Sequence, residues 1–165
     1  MTDTSARFAL PLILPGQAQK EVFHNEALAL LDGALHPCVA GDPTAELPAD
    51  PAPGESWIVE SGATGAWAGK TGNLATWTVG GWRFTAPVPG MTVWNIDAGY
   101  RLAWTGAAWS QGEWPVSALI IGGQQVVGSR LETVPSPSGG TIIDAEARVA
   151  LDAVIVALRT HGLIE

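Results

Sequence analysis

Residues 57–114 read WIVESGATGAWAGKTGNLATWTVGGWRFTAPVPGMTVWNIDAGYRLAWTGAAWSQGEW and hold all eight tryptophans of the chain, at 57, 67, 77, 82, 94, 104, 109 and 114. This window decides the fold, because its apolar residues recur at every second position between glycine turns rather than at helical spacing. Ser56 to Glu60 predicts a strand, and a glycine-rich loop follows over 61–72. Leu74 to Val79 and Trp82 to Thr85 flank Gly80-Gly81, while Met91 to Ile96 and Tyr100 to Thr105 flank Asp97-Ala98-Gly99. Each pair predicts a hairpin. The hairpins echo one another: Leu74-Ala75-Thr76-Trp77 precedes Trp82 as Leu102-Ala103-Trp104 precedes Trp109. Two copies are too few for a solenoid and fit a small antiparallel sheet or partial barrel.

Strand phase sorts the indoles. Trp77 shares a face with Val79, Trp82 with Phe84, Trp94 with Ile96 and Trp104 with Leu102, which assigns those four tryptophans to the core. Trp67 in the glycine loop and Trp114 before Pro115 have least reason to be buried. They are the candidates for an exposed platform that stacks on sugar rings, or for a subunit contact.

On the N-terminal side, residues 6–16 are apolar and broken by Pro11 and Pro15, which predicts an extended arm. Phe8, Leu10, Leu12, Ile13 and Leu14 are its candidate anchors, against its own domain or another subunit. Residues 17–35 predict a helix that Pro37 ends, with Phe23, Ala27, Leu30, Leu31 and Ala34 as its buried face. Four prolines and three carboxylates over 41–54 predict a solvated linker or long loop. Cys38 is the sole cysteine, so no intrachain disulfide forms, and it reads as a small apolar filler.

On the C-terminal side, Ala118 to Ile121 and Gln124 to Val127 form a further hairpin through Gly122-Gly123. Asp144 caps a helix from Ala145 to about His161, with Gly162 at the C′ position. Ala147, Leu151, Val154 and Leu158 are spaced as a short coiled-coil seam, and Val149, Ile155 and Val156 lie off it. A helix apolar on more than one side needs more than one neighbour. Ala147, Leu151, Val154, Ile155 and Leu158 are therefore the candidate oligomerisation residues, with a homotrimer favoured. The expected fold is α+β: an N-terminal arm and helix (1–40), a Pro-rich linker (41–54), a small Trp-rich antiparallel β domain with a C-terminal hairpin (55–133), and a linker with an oligomerising helix (134–165).

Composition narrows the function. Charged residues are only 15% of the chain against a typical ~25%, so the chain has either an unusually large core or surface buried against copies of itself or other chains, and its small size favours the second. The net charge of −8, with scattered basic residues, argues against nucleic acid as a partner. There is no apolar run long enough for a membrane span. Met1 to Ser5 lacks a basic n-region, so synthesis in the cytoplasm without a Sec-type signal is expected.

Catalysis finds little support. His24 and Glu26 stand two apart and point to different sides of their helix, and no Gly-x-Ser-x-Gly occurs. Nothing in the sequence places Asp97 and Glu113 across a cleft as a glycosidase pair. The glycine runs lie in strand-and-turn context and are not a phosphate cradle. No catalytic residue, cofactor or metal is expected.

Three stretches carry a resemblance. They are Leu10-Pro11 with Gln17-Ala18-Gln19-Lys20 and Asn25-Glu26-Ala27-Leu28; Ala63 to Gly69 with Gly81-Trp82; and Gly122 to Gly128 with Gly139-Gly140 and Asp144 to Arg148, through His161-Gly162-Leu163. In that order the chain resembles a domain family of unknown function from phages and phage-derived gene transfer agents of alphaproteobacteria, where it lies in tail-fibre, spike and other host-contact proteins. The resemblance implies a structural role in the virion or gene transfer agent particle, as a fibre, a spike, or a base or adaptor on capsid or tail. Its expected partners are copies of itself and the particle's capsid or tail proteins. The alternative expectation is a carbohydrate-binding module reading host surface polysaccharide through Trp67 and Trp114.

Overall fold

The computed structural model describes residues 4–14, 16 and 20–164. The chain forms an α+β fold divided into two compact units, Met1–Trp114 and Pro115–Glu165. The expected boundary after residue 133 therefore moves: the hairpin at 118–127 belongs with the C-terminal helix and not with the tryptophan window.

In the first unit, helix α1 (Lys20–Ala34) is followed by β1 (Cys38–Val39), β2 (Ser56–Ile58), β3 (Leu74–Thr78), β4 (Gly81–Thr85), β5 (Thr92–Asn95), β6 (Tyr100–Trp104) and β7 (Trp109–Gln111). The start of the expected helix at 17–19 lies outside the described residues. Strands β2-β3-β4 make one antiparallel sheet, and β1-β5-β6-β7 make a second. In the second, β1 runs parallel to β5, a departure from the all-antiparallel expectation. The segment read as a linker is a structured loop, because Thr44 donates its amide to Ile58 and accepts from the amide of Glu60.

Strand alternation gives each sheet an inner and an outer face. Ile58 and Leu74 of the first sheet meet Val39, Val93 and Leu102 of the second in one buried cluster. The opposite face of the first sheet carries a second cluster, Val59, Trp67 and Ala75, with Trp57, Trp82 and Phe84 packed on it.

One of the four core tryptophan assignments, Trp94, changes in this geometry. The β3–β4 turn is Val79-Gly80 and not Gly80-Gly81, since Thr78 pairs with Gly81. The turn lifts Val79 out to 74% exposure and leaves Trp77 half-buried. In β5 the inward residues are Val93 and Asn95, and the Asn95 amide donates to Asp42 while its oxygen accepts from the Ala98 amide. Alternation then sends Trp94 outward, 41% exposed, with Ile96 exposed beyond the strand end. Trp82 is half-buried on the second cluster, and Trp104 is half-buried against Trp109, ring centroids 5.5 Å apart.

Helix α1 overturns its expected buried face. Phe23 is 81% exposed, Ala27 and Leu31 are exposed, and Leu30 and Ala34 are half-buried. The packed side is that of Asn25, Glu26, Asp32 and Gly33, because polar contacts outweigh the apolar stripe there. Glu26 forms an ion pair with Arg83 of β4 at 2.6 Å. Asp32 accepts from the Ser5 hydroxyl and from the Arg7 and Phe8 amides at 2.7–2.9 Å. The Asn25 side chain both donates to and accepts from the backbone of Ile13. The Arg7 guanidinium caps the helix C-terminus through the carbonyls of Asp32, Gly33, Leu35 and His36, groups a helix end otherwise leaves without partners.

Gly33 lets the helix approach β3. A Cβ there would sit 2.7 Å from Thr76 Oγ1, which is itself bonded to the Ser56 hydroxyl. Replacing glycine by alanine inside a helix ordinarily stabilises by about 1 kcal/mol. Here Gly33→Ala is expected to destabilise by about 1–3 kcal/mol through overpacking, measured by urea unfolding.

In the second unit, β8 (Leu119–Ile121) and β9 (Gln124–Val127) pair antiparallel, and helix α2 (Ala145–Thr160) follows. The Asp144 side chain accepts from the Ala147 amide at 2.8 Å. At the other end Gly162 donates to Arg159 and Leu163 to Leu158, the pair of bonds that closes a Schellman motif at a left-handed glycine.

Candidate functional site

Trp67 is not a sugar platform. The turn Gly65–Trp67 is a short 3₁₀ segment that starts at a left-handed glycine, Gly65, and folds the indole back under the first sheet. Trp67 is 0% exposed, with ring centroids 5.1 Å from Trp82 and 6.4 Å from Trp57. Its Nε1 finds no acceptor among the described residues, so hydrophobic burial and edge-on ring contacts hold it. Trp114 is 57% exposed, and the Arg101 guanidinium lies 5.9 Å from its ring centroid.

The arm lies on its own domain. Leu10, Leu12 and Ile13 are half-buried beside α1, whereas Phe8 and Leu14 remain exposed. A cleft of about 600 Å³ opens between the arm, α1 and the β3–β4 hairpin, lined among others by Leu12, Val22, Ala29 and Arg83. Its polar side chains largely bond one another or nearby backbone, as Glu26 does with Arg83, Ser5 with Asp32 and Asn25 with Ile13.

Most of the exposed large apolar side chains lie in the C-terminal unit. Of its leucines, isoleucines and valines, only Ile155, Leu158 and Ile164 are buried or half-buried. Ala147, Leu151 and Val154 of the seam are exposed. Ile155 is a correction: it is 7% exposed and already covered within the protomer. It shares the side of α2 on which Arg148 donates to the carbonyls of Pro137 and Gly139, and Arg159 to that of Val134. Those bonds turn this side of the helix toward the 134–140 segment.

At 3.6 residues per turn, two exposed stripes flank that covered side, Ala147-Leu151-Val154 on one flank and Val149-Val156 on the other. The β8–β9 hairpin adds Leu119, Ile120, Ile121, Val126 and Val127, all exposed. Sequence reading did not foresee that the hairpin's apolar residues are exposed. The signal was the unbroken run Leu119-Ile120-Ile121, which lacks the polar alternation of a strand with one solvated face.

Among the described residues no group of three or more His, Cys, Asp or Glu is placed to hold a metal ion. No described helix is long and apolar enough to cross a membrane. No curated protein matches the chain. A model of the family described as protein of unknown function, DUF2793, matches residues 24–110, from within α1 to β7, and the chain belongs to that family.

Proposed function

We propose that the chain is a homo-oligomeric structural component of a phage-like particle, whether phage or gene transfer agent. It would serve there as a fibre or spike, or as the base or adaptor of one, attached to capsid or tail and assisting host attachment. The observation that carries the assembly part of this reading is the exposed apolar surface of Pro115–Glu165. Leu119, Ile120, Ile121, Val126 and Val127 of the hairpin and Val149, Leu151, Val154 and Val156 of α2 are all exposed, and apolar exposure of that extent is the ordinary mark of an interaction surface. Two unlike stripes on one helix favour a ring in which each copy meets two neighbours through different surfaces, as in a trimer. The particle assignment rests on the three motif stretches.

Because Leu151 is 52% exposed in the protomer, Leu151→Asp leaves the folded protomer intact while placing a carboxylate in the subunit interface. That costs on the order of 4 kcal/mol, about a thousandfold in association. Sedimentation is expected to show wild-type oligomers and Leu151→Asp monomers with equal helix content. Electron microscopy of particles from producing cells, with a tag on this chain, tests the location. Density on the capsid or tail is expected, and particles free of the tag contradict the assignment.

A further inference from the structure

We propose that Trp94, Arg101 and Trp114 form a binding site for acidic saccharides on the outer face of the β1-β5-β6-β7 sheet. Trp94 and Arg101 are direct cross-strand partners, and alternation puts both on the face opposite Val93 and Leu102. Arg101 then reaches the Trp114 ring at 5.9 Å. The Arg101 carbonyl accepts from the Gly112 amide, which brings the segment leading to Trp114 to the flank of Arg101 away from Trp94. The order across the face is indole, guanidinium, indole. Both indoles are exposed, at 41% and 57%, and two inter-strand spacings separate their backbones by about 10 Å. A row of that length suits an oligosaccharide better than a single sugar ring.

The guanidinium supplies the charge preference. Arg7, Arg130, Arg148 and Arg159 donate to backbone carbonyls, and Arg83 is paired with Glu26. Among the described residues the Arg101 side chain has only its ring contact, and no carboxylate lies within ion-pair distance of it. Its fork of N–H donors is free to take a carboxylate bidentately, while the indole faces stack on the apolar faces of the sugars on either side.

A protein partner fits this row less well. Tryptophan and arginine also anchor protein interfaces, but in closely packed, fully desolvated pockets; of the residues on this face Thr92, Ala103, Ser110 and Gly112 are small or polar, and Ile96 alone is large and apolar. The site goes beyond the assembly reading and does not depend on it.

The test is calorimetric titration of the full chain with oligogalacturonate and with the same oligomer methyl-esterified, followed in parallel by tryptophan fluorescence. Binding to the acid form, weaker by about tenfold or more for the ester, is expected. Arg101→Gln is expected to abolish the difference between the two forms, and Trp94→Ala or Trp114→Ala to weaken both by about tenfold. Absence of binding to either oligomer overturns the site, as does equal affinity for acid and ester, or Arg101→Gln binding like wild type. Sedimentation of the same samples separates this from assembly: a lower mass in the Trp94 or Trp114 variant would make the row a subunit contact and also overturn the proposal.

Discussion

Trp67→Ala is expected to lower the stability of the Met1–Trp114 unit by about 3–5 kcal/mol, the range for emptying a buried tryptophan site. The indole is wholly buried, and its neighbours Val59, Ala75, Trp57 and Trp82 come from strands and loop segments that the sheet holds in place. They cannot collapse into the vacancy without breaking the β2-β3-β4 register. Trp67→Phe keeps part of the volume and is expected to cost less. Trp114→Ala, on the surface, is expected to change stability by less than about 0.5 kcal/mol. Urea unfolding of the three variants measures the order. A Trp67→Ala protein as stable as Trp114→Ala would mean that the 3₁₀ turn does not insert its indole.

Asp32→Asn is expected to release the arm at a cost of about 2–4 kcal/mol. One carboxylate oxygen accepts from Ser5 and Phe8 and the other from Arg7, and an amide side chain can accept at only one of the two positions. Burial alone pushes the Asp32 carboxyl up. The Ser5 hydroxyl, the Phe8 and Arg7 amides and the Arg7 charge together bring it below its ordinary value of 3.8.

The sign of the pH dependence follows. A carboxyl whose folded pKa is depressed stabilises the fold fully above its unfolded pKa, and that contribution is lost as pH falls through the folded value. The arm contact is therefore expected to be unchanged between about pH 7 and 5 and to weaken only below about pH 4. Hydrogen exchange of the Arg7 and Phe8 amides, followed over that range, reports it directly. The Asp32→Asn protein is expected to show fast exchange of both amides throughout.

Legibility in the sequence tracked how local the controlling contact was. Helix α2 was readable because Asp144 and Gly162 act within a few residues of its ends. The hairpins were readable from their glycines, although Val79-Gly80 rather than Gly80-Gly81 makes the β3–β4 turn. The face of α1 was not readable, because partners far along the chain decide it: Ser5, Arg7 and Phe8 for Asp32, Thr76 for Gly33 and Arg83 for Glu26.

Trp67 and Trp94 were misplaced in opposite directions for related reasons. A glycine loop suggested exposure, yet its 3₁₀ turn drives Trp67 inward. An apolar pair, Trp94 and Ile96, suggested the core, yet the polar Asn95 holds the inward position through Asp42 and Ala98. The second error is what concealed the Trp94–Arg101–Trp114 row.

The mass of the intact chain in solution, by sedimentation at micromolar concentration, tests assembly through Pro115–Glu165 most directly. The account predicts a discrete oligomer, a trimer on the two-stripe argument, that falls to protomers in Leu151→Asp. A wild-type chain of 17.1 kDa at that concentration, indistinguishable from Leu151→Asp, would contradict it.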